Sequence, residues 1–294
     1  MVIQIVSALK LNFMLVAVTI ATTPAAIANT TDRFPPTIKT SYLPVKVVGE
    51  KENLILSGVL RVPEYDAKIP AVLILHGSAG IDSRGQFYAE SLHQQGIATF
   101  EIDLWGGRGL KGGSKGRPAL PTFTVPDALA ALTLLAERDD IDSERIGVIG
   151  FSWGGVIAML LKNNATYEGY DKDYRFSTFV AHYPVCWAYN KVPGVKFNEL
   201  SDGAMLIQTG ELDDYDNPDS CPELVESLPD NQRSQIEIKV WPKAYHAWDR
   251  FAPTIIVDDP FAHQGKGGKV TLAANIETAK QSRQKAVSFF KRNL

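Results

Sequence analysis

Five short, almost uninterrupted apolar stretches constrain this chain more than any other feature: "AVLILHG" (71–77), "IATFEID" (97–103), "RIGVIGF" (145–151), "FSTFVAHYP" (176–184) and "AMLIQTG" (204–210). Each is short for a helix, and most lack the apolar–polar alternation of a half-exposed strand. Runs of this kind fit strands covered on both faces, the usual state of strands in a parallel sheet. Between them lie stretches with helical spacing: "QFYAESLHQQG", "VPDALAALTLLAER", "WGGVIAMLLKNN" and a last one over about 272–292. Strand alternating with helix predicts an α/β fold with a mostly parallel central sheet and helices on both faces. "SYLPVKVVG" and "NLILSGVLRVP" precede the series and read as paired strands turning near Gly49, and "IEIKVW" reads as a late additional strand. In such sheets ligands gather at the carboxyl ends of the strands. Chemistry is therefore expected just after each apolar run.

One run stops abruptly, in "IGVIGFSWGGVIAML" (146–160). Ser152 stands between the strand and the helix, with Gly150 and Gly154 two residues away on either side. A helix N-cap serine has no need of those glycines. A serine raised on a sharp, strained turn does, because neighbouring chain segments come too close for side chains there. The helix that follows also aims free N–H groups at the same spot. The pattern marks Ser152 as a candidate nucleophile.

A serine hydroxyl needs a base to act as a nucleophile. Of five histidines, only His246 and His263 lie late enough for the chain order serine, acid, histidine. His246 follows the strand "IEIKVW" in "PKAYHAWDR" and is preferred; His263 sits in the polar "FAHQGKGGK". His76, His93 and His182 read as strand-end or helix residues. The acid is expected after "AMLIQTG", where "ELDDYDNPD" offers Asp213, Asp214, Asp216 and Asp219. The residues alone leave the choice among these four open. "LILHGSAG" ends the first buried strand, and its glycines let backbone N–H groups face the site, so the amides of Ser78 and Trp153 are the expected oxyanion hole.

Taken in order, "HGSAG", "DLWGGRG", "GFSWGG", "YPVC", "TGELDD", "AYHAWD" and the final helix resemble the dienelactone hydrolase family of α/β-hydrolases. The resemblance implies an α/β-hydrolase fold and a hydrolase that cleaves small ester or lactone bonds through an acyl-enzyme, with neither metal nor cofactor. It maps the triad onto Ser152, Asp213 and His246, preferring Asp213 because the family acid lies three residues past a strand-end glycine, here Gly210. It also places Arg250 and Arg108 where the family holds a substrate carboxylate, Arg108 being shifted by one position. Cysteines after the "YP" strand and after the acid loop match Cys186 and Cys221, which implies a disulfide between them. The best-known members carry a cysteine nucleophile and a glutamate in line with Gly77, so this chain reads as a serine variant.

The N-terminus carries Lys10, then an apolar run over 11–20, then "AIA" ending at Ala28. This reads as a signal peptide, 1–28, cleaved after Ala28, followed by a single domain over 29–294. The expected location is periplasmic or secreted, with no stable membrane insertion after cleavage. The net charge is −3 and no long block of like charge stands out, so the expected partner is a small molecule and not nucleic acid. The glycine-rich, basic segment 105–123 reads either as a mobile flap over the site or as a disordered surface loop. Rival readings with the same residues are an exopeptidase, an acyltransferase, or a non-catalytic binding protein.

Overall fold

The computed structural model describes residues 36–48 and 53–294; the signal peptide expected over 1–28 lies outside the described residues. Eight strands form one sheet: β1 (Ile38–Val47), β2 (Leu54–Pro63), β3 (Ile69–Leu75), β4 (Ala98–Asp103), β5 (Ile141–Phe151), β6 (Thr178–His182), β7 (Ala204–Gly210) and β8 (Ile236–Trp241). Their order is β1-β2-β4-β3-β5-β6-β7-β8. The pairs β1/β2 and β2/β4 are antiparallel and the rest parallel. All five apolar runs form central strands, as expected for strands buried on both faces. The helices are α1 (Ser83–His93), α2 (Val125–Ala136), α3 (Trp153–Leu160), α4 (Ser220–Glu226), the single turns α5 (Asp230–Arg233) and α6 (Ala262–Gly265), and α7 (Ile276–Asn293).

Alternation along β3 shows why the run has to be continuously apolar. Ala71, Leu73 and Leu75 join the core layer of α2 and α3, which includes Leu132 and Ile157. Val72 and Ile74 join the opposite layer with Tyr88 of α1 and Phe290 of α7. A polar residue at any of the four larger positions, 72 to 75, would forfeit the roughly 1.5–3 kcal/mol that burying a large apolar side chain supplies.

The sheet order reverses direction around β3. From β3 the chain passes through α1 to β4 on one side, then crosses back to β5 on the other. Loops leaving the carboxyl ends of β3 and β5 depart toward opposite faces and leave a crevice between them, the site type of open α/β sheets. Ser78 follows β3 and Ser152 follows β5, so topology alone brings them to one place.

Two features depart from expectation. The last helix begins at Ile276, not 272, because Asn275 caps it by accepting a hydrogen bond from the Thr278 amide at 3.1 Å. Leu272 belongs instead to a hairpin of β9 (Ile255–Asp259) and β10 (Gly268–Leu272), antiparallel to each other. Among the described residues no helix is long and apolar enough to cross a membrane.

Candidate active site

Ser152 has φ 53° and ψ −107°, a strained conformation for a residue with a side chain, and its hydroxyl makes no capping bond to α3. The flanking glycines permit this turn. A Cβ on Gly150 would lie 1.9 Å from the Gly154 carbonyl oxygen, and one on Gly154 would lie 2.1 Å from that of Leu75. Both obstacles are backbone. The turn is held by Ser152 N–H donating to His182 O (2.9 Å) and Gly154 N–H donating to His76 O (3.2 Å).

Across the crevice, the loop after β8 presents His246. Its Nε2 lies 2.9 Å from Ser152 Oγ and its Nδ1 lies 2.7 Å from Asp213 Oδ2. With Nδ1–H donating to the carboxylate, Nε2 is left to accept the serine proton. The other oxygen of Asp213 accepts the Tyr215 amide at 2.9 Å. Asp213 and His246 are both buried. The imidazole is wedged between Tyr183 and Tyr215, with ring centroids 4.6 and 4.5 Å away.

The structure also separates the four acids. Asp213 alone reaches the histidine. Asp214 accepts the Thr271 amide (2.8 Å) and so fastens the β9–β10 hairpin. Asp216 accepts the Trp187 amide (3.2 Å), and burial pushes its carboxyl up to about 6. Asp219 precedes α4 and makes no side-chain cap. His263 is exposed, at the turn of the hairpin, with Nε2 3.0 Å from Lys269 O.

Both expected oxyanion donors are uncommitted among the described residues. His76 Nε2 accepts the Leu104 amide (3.0 Å), so its Nδ1–H donates to Gly77 O (2.7 Å), which also accepts from Gly80 N–H (3.0 Å). With the Gly77 carbonyl held this way, the Ser78 N–H across the trans peptide points the other way. The next carbonyl, that of Ser78, is clamped by Trp105 Nε1–H (3.0 Å) and Gly113 N–H (2.6 Å). Trp153 is the first residue of α3, where a helix leaves its N–H groups free.

Beside Ser152 lies a hollow of about 70 Å³, mostly apolar, walled by Leu120, Pro121, Val156, Val185, Val195 and Phe261 among others. Arg117 also lines it. The two arginines expected there do not. Arg108 is a correction: its guanidinium forks onto buried Asp127, with both bonds at 2.8 Å, so its donors are spent inside the protein. Arg250 is half-buried and does not line the hollow. The segment 105–123 departs from the flap expectation too. It is tied down at Arg108–Asp127, Gly113–Ser78 and Arg117–Asp259. Gly112 serves close approach: a Cβ there would lie 2.6 Å from Ser78 O.

Cys186 and Cys221 form a disulfide that joins the wall residue cluster after β6 to α4, next to the acid loop. Among the described residues, the one cluster of metal-ligand types within 4.8 Å is Cys186, Asp216 and Cys221. Its sulfurs are bonded to each other, which leaves a single carboxylate.

Sequence reading missed a buried polar network behind the histidine. Asp249, wholly buried, accepts hydrogen bonds from Tyr183 Oη (2.6 Å) and Tyr88 Oη (2.8 Å), and Arg84 Nη1 donates to Tyr183 Oη (3.1 Å). Burial alone would push the Asp249 carboxyl up; His182, Arg84 and Tyr183 outweigh it and hold the carboxyl below its usual range. Tyr183, at φ 41°, thus joins this network to the face of His246. The one signal in the sequence was an aspartate three residues past His246, behind the apolar pair Ala247 and Trp248.

The chain is similar to several known proteins. An uncharacterised 31.7 kDa Escherichia coli protein from the traX-finO intergenic region is 30% identical over 112 residues, 38% of each chain. The matched part thus spans about two-fifths of that relative's length. Among solved structures, a putative dienelactone hydrolase from Klebsiella pneumoniae superposes with a TM-score of 0.58 at 18% identity, covering 86% of this chain and 98% of that one. Thermogutta terrifontis esterase 2 gives a TM-score of 0.61 at 15% identity, covering 88% and 96%. These likenesses show the fold. The description of the dienelactone hydrolase family matches residues 56–294. The chain therefore belongs to the dienelactone hydrolase family.

Proposed function

We propose that the protein is an exported serine esterase that cleaves small ester or lactone bonds through an acyl-enzyme. The observation that carries this reading is the relay of Ser152 Oγ, His246 and Asp213 at 2.9 and 2.7 Å. Ser152 Oγ bonds to the substrate carbonyl carbon while its proton passes to His246 Nε2. Asp213 stabilises the imidazolium through Nδ1–H. The carbonyl oxygen gains the negative charge and is met by the Ser78 and Trp153 amides, each such donor typically supplying about 10²–10³ in rate. The tetrahedral centre collapses, the C–O bond to the leaving alkoxide breaks, and His246 returns the proton to it. Water then repeats the sequence on the acyl-serine and restores the enzyme.

The small, mostly apolar hollow beside Ser152, about 70 Å³, supports a short acyl group. Hydrolysis of p-nitrophenyl esters of graded length, with fluorophosphonate labelling located by mass spectrometry, tests the reading. Activity highest at two to four acyl carbons (about that range, from the hollow's size) and label on Ser152 are expected. Peptide cleavage or acyl transfer in place of hydrolysis would move the protein to the rival enzyme classes. A folded protein inert to every ester and to the fluorophosphonate would be a binding protein.

Export is part of the proposal. The charged start, the apolar run and the "AIA" before Asn29 support it, and so does a disulfide, which suits an oxidising compartment. N-terminal sequencing of the exported protein should find Asn29 first; retention of Met1 would defeat it.

A further inference from the structure

We propose that Asp259 is a specificity-determining residue: by neutralising Arg117 in the wall of the acyl hollow, it suits the site to short acyl groups bearing an uncharged oxygen acceptor and turns away acyl groups bearing a carboxylate. The inference rests on the esterase reading above and adds the class of acyl group.

Arg117 lines the same hollow as Ser152. Its guanidinium carbon lies 5.3 Å from the Trp153 ring centroid and 5.7 Å from that of Phe261, so aromatic faces fix it in place. One nitrogen, Nη2, donates to both oxygens of Asp259, at 3.0 and 2.8 Å. The two side chains are only 7% and 2% exposed, so the pair is out of water. No other charged side chain lines the hollow, and Arg108 is already taken by Asp127. The wall therefore sums to zero charge. A carboxylate on the acyl group would enter a dry site as a second negative charge facing one guanidinium, and uncompensated charge in such surroundings is strongly disfavoured.

The wall still has hydrogen-bond donors to offer. Arg117 Nη1 and Nε have no acceptor among the described residues. A neutral ether, keto or hydroxyl oxygen on the acyl group would accept from one of them. The hollow thus has spare donors and no spare cation, the chemistry of a neutral acceptor.

The test uses the full chain and methyl esters followed by proton release in a pH-stat, so that the leaving group is constant. Methyl butyrate, methyl methoxyacetate and monomethyl succinate supply an apolar, an acceptor-bearing and a carboxylate-bearing acyl group. Each kcat/KM is divided by the rate of alkaline hydrolysis of the same ester. The wild type should prefer methoxyacetate to butyrate by about tenfold and disfavour succinate by about a hundredfold, the scale of one satisfied donor and one unpaired charge. Asp259→Asn should raise the succinate-to-butyrate ratio at least about tenfold, because it leaves Arg117 as an unpaired cation. Asp259→Glu should keep the wild-type ratio. Arg117→Met should erase the methoxyacetate preference and, if Asp259→Asn fails to fold, carries the test by deepening the rejection of succinate. A succinate-to-butyrate ratio that moves less than about threefold in Asp259→Asn, or a wild type that takes succinate as readily as butyrate, overturns the proposal. In that case butyrate cleavage and fluorophosphonate labelling of Ser152 would leave the esterase reading standing. A wild type that cleaves none of the esters and takes no label would overturn both.

Discussion

At the scale of single residues, the site depends on one strained serine and the absence of two side chains. Ser152→Ala should lower kcat by roughly 10⁴–10⁶ while leaving the fold intact, and His246→Ala should lose a similar amount. The double variant should lose little more, because the two act as a unit through their 2.9 Å contact. His263→Ala, at an exposed hairpin turn, should change esterase activity by less than about twofold. Steady-state kinetics on one ester decides all four, and an essential His263 beside a dispensable His246 would put the base elsewhere. Gly154→Ala tests the room beneath the serine. Its Cβ would meet the Leu75 carbonyl at 2.1 Å. Backbone must move, so a stability loss of about 1–3 kcal/mol or more is expected, with most of the activity. Chemical denaturation at wild-type stability would show that the turn is looser than described.

At the scale of elements, the acid loop is the piece most dependent on a covalent tie. It runs from the end of β7 to α4 and carries Asp213, Tyr215 and Asp216. The Cys186–Cys221 bridge closes a segment of 35 residues and fastens α4 to the turn that holds Trp187. By chain entropy such a bridge stabilises the protein by about 3–4 kcal/mol. Replacing both cysteines by alanine should lower the unfolding free energy by roughly that amount, as read by urea denaturation. Activity should fall as well, because Asp213 sits on the released loop. Thiol counting on the denatured, unreduced wild type should find no free thiol, and two would remove the basis of the prediction.

At the scale of the whole molecule, one buried carboxylate makes stability depend on pH in a direction opposite to the usual one. Glu101 lies on β4 beneath α1, against Gly85, where an added Cβ would meet its Oε1 at 1.9 Å. Burial pushes its carboxyl up to about 7, and Arg61, 3.9 Å away, only partly opposes this. A raised carboxyl binds its proton more tightly in the folded state. Its contribution is therefore harmless below the unfolded value of 4.5 and becomes a penalty as pH rises toward 7. Glu101→Gln cannot ionise and escapes that penalty. Its stability relative to wild type should climb between pH 4.5 and 7 by about 2–3 kcal/mol and stay level above. Urea denaturation at pH 5 and pH 8 measures it; a difference independent of pH would mean that Glu101 ionises as freely folded as unfolded.

The order of elements, the two-faced burial of the central strands and the serine turn were legible in the sequence. Each is a local demand: a period of apolar residues, or glycine where backbones nearly touch. The strand-end placement of His246 and of the acid loop was legible for the same reason. Four aspartates of one loop share one local signature, so their choice rested on the family resemblance until the folded chain set Asp213 against the histidine and Asp214 on the hairpin. The arginines follow the same logic. Arg108 and Arg117 sit in one basic loop, yet the first is spent on Asp127 and the second meets Asp259, 142 residues away. Arg84, Tyr183 and Asp249 come together from three separate segments. Such pairings belong to no window of sequence. They arise because the crossover at β3 gathers distant loops at one end of the sheet, where low exposure makes charge and hydrogen-bond matching decisive.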